Sequence, residues 1–448
     1  MLLDEYSRQR GQITAGGRVL AMSLPSEGRY EFERSYPTDP YAFGPTVGYY
    51  SLQYATAGLE QSQDAFLNGS DPRLLSERIT GLISGRTPQG GSVELTLDPV
   101  AQEVAFAALQ RGLGQGPFVG SVAAVRPSTG EVLTLASSPS FDPNALSSQD
   151  EAVRTQEMQR IEQNPDRPLL NHATQQALPP GSTMKVITTA AALEQGLGPD
   201  TPVSGADRTL LPGTATYLQN YAGQTCGGGT VTLRTALELS CNVPFVEISQ
   251  EIGPEAFTEM AEKFGVDGAV PEDFGIPVAP SGLGQMEDAA QLAMSAIGQS
   301  DVRMTTLQSA MVAATVSNGG VRMEPQLIRS LTAPDLSVVR GYTPRDAGRA
   351  LTDDQAATLT DMMIGAELNA GGGLPGVTIA SKTGTAEHGV DASASVPYTW
   401  YIAFVPGQDV AVAVAIESGP GITRGTVGAD HAAPIGREVL GALLGGTP

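Results

Sequence analysis

Histidine and cysteine are scarce in this chain and basic residues are outnumbered: 448 residues include three His, two Cys and 26 Lys plus Arg against 48 Asp plus Glu, a formal net charge of -22. So few His and Cys cannot build the common zinc sites, and no EF-hand loop is present, so neither metal nor cofactor is expected. None of His172, His388 and His431 accompanies a G-x-S-x-G nucleophile elbow, which turns any serine chemistry toward a lysine base. The negative balance argues against a nucleic-acid partner, since phosphate binding needs a basic face. An anionic substrate would need a local positive cluster working against the field of the whole molecule. No apolar run reaches the roughly 20 residues of a membrane-spanning helix. Met1-Leu2-Leu3 runs straight into Asp4, Glu5 and Arg8, which is no signal peptide and is compatible with an excised ectodomain.

What is present is an ordinary globular composition, 41% hydrophobic and 17% charged, in a chain long enough for two domains and a large core. Residues 17–23 and 30–36 alternate as half-buried strands, 51–67 are spaced as a helix, and 93–97 form a strand before the helix that Asp98-Pro99 opens. The glycine-rich joint at 112–120 predicts a boundary between a mixed N-terminal unit, 1–115, and a second unit, 116–448. There, 121–125 and 132–136 flank a tight turn as a hairpin, and 201–230 are Gly/Thr-rich and loop-like. Helices are expected over 231–238, 244–265 and within 286–317, strands over 377–385, 400–404 and 410–416, and a closing helix over 430–444. Strands first and last with helices between predict an α+β unit, an antiparallel sheet covered by helices.

The stretch Leu178-Pro179-Pro180-Gly181-Ser182-Thr183-Met184-Lys185 delivers a serine to the mouth of an apolar helix that has no polar stripe. Ser182 would sit in the first turn, where backbone N–H groups lack partners, with Lys185 on the same face. That is either an activated nucleophile or an N-cap. Two more motifs follow in chain order: Ser240-Cys241-Asn242 at a helix end and Lys382-Thr383-Gly384-Thr385 at a strand end. Each alone arises readily by chance. Their order, wide spacing and local context together are specific, and the triplet S-x-x-K, S-x-N, K-T-G is that of class A β-lactamases and penicillin-binding proteins.

On these motifs the chain resembles the penicillin-binding proteins, specifically the class B transpeptidases of the actinobacterial A type. Arg10-Gly11-Gln12-Ile13, Val93 to Asp98 with Gln102, Pro127 to Leu133, Gly298-Gln299 and Asn318-Gly319-Gly320 are also similar to family segments, so the resemblance covers nearly the whole chain. It implies a transpeptidase fold, an anchor upstream of residue 1, an extracytoplasmic location, and cross-linking of peptidoglycan stem peptides supplied on a lipid-linked precursor. It also implies acylation by β-lactam antibiotics, a role in growth and division, and cell-wall synthesis proteins docking on the N-terminal unit.

Acyl transfer needs a nucleophile, a base, an acid and an oxyanion hole. Ser182 would attack. Lys185 would be the base, neutral because burial, the helix N-terminus and Lys382 push its pKa down. Ser240 would relay the proton and Asn242 would bind the donor amide. Lys382, Thr383 and Thr385, with Gly384 between them, would hold the terminal carboxylate of D-alanyl-D-alanine. By resemblance, the N–H groups of Ser182 and Thr385 form the oxyanion hole. A β-lactamase would need a deacylating Glu that the sequence does not reveal, while a D,D-carboxypeptidase and a sensor or scaffold stay open. Glu387 and His388 either line the acceptor side or belong to a solvated loop. Cys226 and Cys241, the only cysteines, are either free or bridged; a bridge would contribute roughly 3 kcal/mol in the chain-entropy account.

Overall fold

The structure, a computed structural model, describes residues 8–75, 89–387 and 396–445. Two sheets organise it. The first has six strands in the order β8-β7-β4-β1-β2-β3, where β1 is Ile13–Ala15, β2 Arg18–Pro25, β3 Phe32–Ser35, β4 Ser92–Leu95, β7 Ile328–Thr332 and β8 Val338–Gly341. The second has five, β9-β10-β11-β5-β6, where β5 is Val119–Val125, β6 Val132–Ser138, β9 Ala380–Ala386, β10 Tyr398–Phe404 and β11 Ala411–Ser418. All its pairings are antiparallel, as the sequence leads one to expect.

The second sheet is apolar on both faces, which is why its strands read as continuous hydrophobic runs. Ile402, Phe404, Ala413 and Ala123 pack on one side beneath α2 (Lys185–Glu194) and α5 (Thr306–Ser317). Tyr401, Ala403, Val412, Val414 and Val122 pack on the other against α1 (Pro99–Arg111) and α7 (Gly428–Leu443). Helix α1 starts where Asp98 accepts from the N–H groups of Val100 and Ala101 and stops at Gly112, whose φ of 47° closes it in the left-handed conformation.

Strand pairing and helix packing cross residue 115 in both directions. Strands β7 and β8, from beyond that point, complete the first sheet, whereas α1, from before it, covers the second through Ala105, Ala108 and Leu109. The glycine-rich joint is a local hinge between α1 and β5; long-range strand pairing decides the architecture. Two local expectations also change. Residues 51–67 begin in a small hairpin, Tyr50–Ser51 with Ala55–Thr56, and become helical only at Gly58–Ser62 and Asp64–Leu67. The loop-like 201–230 contains four short strands, Pro202–Ser204 paired with Thr230–Thr232 and Arg208–Leu210 with Tyr217–Gln219, whose alternation is hidden by Gly and Thr. Among the described residues no helix is long and apolar enough to cross a membrane.

Candidate active site

Ser182 lies on the 3-10 turn Gly181–Met184, and the α-helix α2 starts only at Lys185, one turn later than the sequence suggests. No side chain caps that turn, and Ser182 instead lines a cleft of about 1180 Å³, so the N-cap alternative does not describe it. Backbone packing fixes its approach. Gly181 has φ 54°, and a Cβ there would sit 2.6 Å from the Thr385 carbonyl oxygen. A Cβ on Gly384 would sit 2.7 Å from the Pro180 oxygen. These two glycines therefore let the nucleophile turn and β9 meet backbone to backbone, bringing Ser182 beside Thr385. From the other side, the Gly181 N–H donates to Gly298 O at 2.9 Å. Trp400, fully buried, donates its indole N–H to Pro179 O at 2.8 Å, a core role as its sequence context suggests.

Lys185 and Lys382 are 0% and 1% exposed. Lys185 Nζ donates to Ser240 O and to Asn242 Oδ1, each at 2.8 Å. Lys382 Nζ donates to Ser240 Oγ at 2.7 Å and to Thr383 O at 3.0 Å. Ser240 thus touches one lysine with its carbonyl and the other with its hydroxyl. It does so from φ 59°, a conformation that costs a non-glycine residue roughly 1–2 kcal/mol and is a mark of functional sites. Neither amine has a carboxylate partner among the described residues. Burial, then the neighbouring Lys382, holds Lys185 well below the usual lysine range. Burial alone brings Lys382 down to about 7. The Lys382 charge is therefore conditional, and a neighbouring anion would stabilise it.

Asn242 stands at the N-cap position of α4 (Val243–Lys263), and its side chain caps nothing. Its Nδ2 donates to Gln219 O at 3.1 Å, while its backbone N–H donates to Asn220 Oδ1 at 2.8 Å. Asn220 is a residue that sequence reasoning missed: it sits in the loop-like stretch, and its role depends on a partner 22 residues away. Cys226 and Cys241 are joined, with Cα atoms 6.1 Å apart and both side chains buried, so the bridge ties that stretch to the Ser240–Asn242 corner.

Thr383, Thr385 and Glu387 line the same cleft, as do Tyr221 and Arg424. Tyr221 OH donates to Arg424 O at 3.1 Å and Thr426 O at 3.2 Å, joining the two rims. His388 lies outside the described residues. Asp430 falls in the first turn of α7, as expected. Among the described residues no group of three or more His, Cys, Asp or Glu side chains could hold a metal ion. The arrangement offers a hydroxyl, a buried amine held toward neutrality, a hydroxyl shared with a second amine, and a strand edge with two threonines. Those are the parts of acyl transfer through a serine ester.

Comparison with known proteins agrees. Residues 120–441 match the family described as the penicillin binding protein transpeptidase domain, and residues 10–93 match the penicillin binding protein A dimerisation domain. The chain is 48% identical to the peptidoglycan D,D-transpeptidase PbpA of Mycolicibacterium smegmatis, across 99% of this chain and 91% of that protein. It is also 48% identical to the protein of the same name from Mycobacterium tuberculosis, across 100% and 91%. The structure of M. tuberculosis penicillin-binding protein A as a ceftriaxone acyl-enzyme superposes with a TM-score of 0.95 at 46% identity, covering 99% of this chain and 100% of that one. Its penicillin G acyl-enzyme gives 0.93 at 46% identity, covering 98% and 100%.

Proposed function

The chain belongs to the penicillin-binding protein transpeptidase family, and we propose that Ser182 is the residue through which it cross-links peptidoglycan stem peptides and is trapped by β-lactams. Its activity is that of a peptidoglycan D,D-transpeptidase, a serine acyltransferase of cell-wall synthesis. The observation that carries the residue assignment is the convergence of two buried amines without carboxylate partners on Ser240, beside a serine exposed to the cleft.

Ser182 Oγ attacks the carbonyl of the penultimate D-alanine as neutral Lys185 takes its proton. The N–H groups of Ser182 and Thr385 receive the developing oxyanion; one such donor is worth roughly 100- to 1000-fold in turnover. Ser240 relays the proton that Lys185 has taken to the leaving nitrogen, and terminal D-alanine departs while Lys382 keeps its charge. Asn242 binds the donor amide, while Lys382, Thr383 and Thr385, with Gly384 giving close approach, hold the carboxylate. An acceptor amine then attacks the Ser182 ester, forming the new peptide bond and returning the proton to the serine. The same proposal covers an anchor preceding the chain, placement on the extracytoplasmic face, and a partner-docking role for an N-terminal unit divided from the rest near residue 115. The separation of the N-terminal unit from the chemistry is supported by the cleft lining, to which no described residue before Pro179 contributes.

Intact mass after incubation with benzylpenicillin tests the assignment. The wild type gains one antibiotic mass and keeps it, and Ser182→Ala gains none. Acylation of Ser182→Ala, or rapid turnover of the antibiotic, overturns it.

A further inference from the structure

Beneath β9 lies a buried polar cluster that the mechanism above does not use. Glu367, 2% exposed, sits near the end of α6 (Asp353–Asn369). Ser381 Oγ donates to its Oε2 at 2.5 Å, Tyr401 OH donates to the same oxygen at 3.0 Å, and Arg437 Nε donates to Oε1 at 2.7 Å. Four elements, α6, β9, β10 and α7, thus meet at one carboxyl group. A buried ionic cluster of this kind is weak evidence for stability, since apolar packing of the same volume does as well or better. Its position suggests another use.

Ser381 and Lys382 are consecutive on an extended strand, so their side chains leave it on opposite faces. Fixing Ser381 on the far face fixes where Lys382 emerges on the near one. Tyr401, held by the same oxygen, is the cross-strand partner of Thr383, the residue after Lys382. One side chain therefore holds β9 directly at Ser381 and holds the neighbouring strand β10 opposite Thr383. Two residues further along α6, Asn369 Nδ2 donates at 3.0 Å to the carbonyl of Glu238, which ends α3 (Leu233–Glu238) two residues before Ser240. In the same turn, a Cβ on Gly365 would lie 2.2 Å from Glu238 Oε1, so α6 and α3 are in close contact. The last turn of α6 thereby holds both the strand that bears Lys382 and the helix end that bears Ser240.

We propose that Glu367 is a positioning residue for acylation, setting the 2.7 Å contact between Lys382 Nζ and Ser240 Oγ from beneath the strand through Ser381. This rests on the carboxylate-holding role proposed for Lys382. The test compares benzylpenicillin with its methyl ester, which lacks the carboxylate, in enzyme whose active fraction is titrated. In Glu367→Gln the preference for the acid over the ester falls about tenfold, because a charge-assisted link is weakened. In Ser381→Ala, which removes only a hydroxyl and keeps the fold within reach, it falls about threefold. The double variant loses no more than Glu367→Gln alone, since both act through one link. Acid and ester acylation falling by the same factor, or a lowered melting temperature with the preference intact, overturns the inference and leaves Glu367 a structural residue. A wild type acylated at Ser182 but indifferent to esterification overturns it together with the Lys382 assignment; a wild type not acylated at Ser182 overturns the reading beneath both.

Discussion

Two clusters of buried charge in this molecule are treated in opposite ways. In the N-terminal unit, Arg10 (3% exposed) and Arg34 (5%) flank Glu60 (0%): Arg10 Nη2 meets Glu60 Oε2 at 2.9 Å and Arg34 Nε meets Oε1 at 2.5 Å. Asp64 adds a second carboxylate to Arg10 at 2.6 Å. Burial pushes Glu60 up, but the two guanidinium groups outweigh it and hold its pKa below the usual range. For Arg10, burial is likewise outweighed by Glu60 and Asp64, and its pKa ends above normal. In the cleft, Lys185 and Lys382 are just as buried and have no carboxylate partner among the described residues, so burial wins and both pKa values fall. Paired charge is locked; unpaired charge is free to change during a reaction.

The sharpest way to break that contrast is Lys185→Met. Acylation by benzylpenicillin is expected to fall about ten-thousandfold, as for loss of a general base, while the melting temperature does not fall, because the cost of burying an amine goes with it. The counterpart is Glu60→Ala, which strands two guanidinium groups and should cost about 3–5 kcal/mol in denaturant unfolding while acylation per folded molecule stays the same. Equal destabilisation in the two variants would dissolve the distinction. Replacing Cys226 and Cys241 with Ser should cost up to about 3 kcal/mol and weaken acylation less than Lys185→Met does, because the corner at Asn242 loosens without losing a reacting group. Thiol labelling of the denatured, unreduced wild type should find no free thiol.

The smallest effect is in pH. Lys382 must carry its proton to receive a carboxylate, so the second-order acylation constant, which reports the free enzyme, falls as pH rises through about 7. Stability moves the other way. With the folded-state value near 7 and the ordinary lysine value at 10.5, the unfolded chain binds more protons across that window, and unfolding free energy rises with pH there. Glu60, with a lowered folded-state pKa, contributes stability that is present above the usual carboxylate range and is lost as pH falls below it. Acylation and unfolding measured together from pH 6 to 9 separate the two regions; parallel curves would contradict the assignment of Lys382.

The residues that gather at the cleft were legible in the sequence because three short motifs, each weak, stood in a specific order. The strands of the second sheet were legible because burial on both faces leaves a long apolar run. What stayed hidden depends on distant partners. Glu60 looks like any surface acid until Arg10, 50 residues away, and Arg34, 26 away, fold onto it. Glu367 reads as the solvated face of a helix, and only β9 makes it otherwise. The hairpin β7-β8 has no period-two alternation, with burial that does not alternate along either strand, and nothing local says that its sheet lies at the other end of the chain.

That hairpin also sets an order of events during synthesis. Strand β7 lies between β4 and β8, so as the chain leaves the ribosome the first sheet waits, with β4 as an open edge, until some 240 further residues have followed it. An open edge is the feature by which nascent chains pair with the wrong neighbour. The first sheet begun thus stays open while most of the chain is made, and the transpeptidase domain supplies the strands that close it.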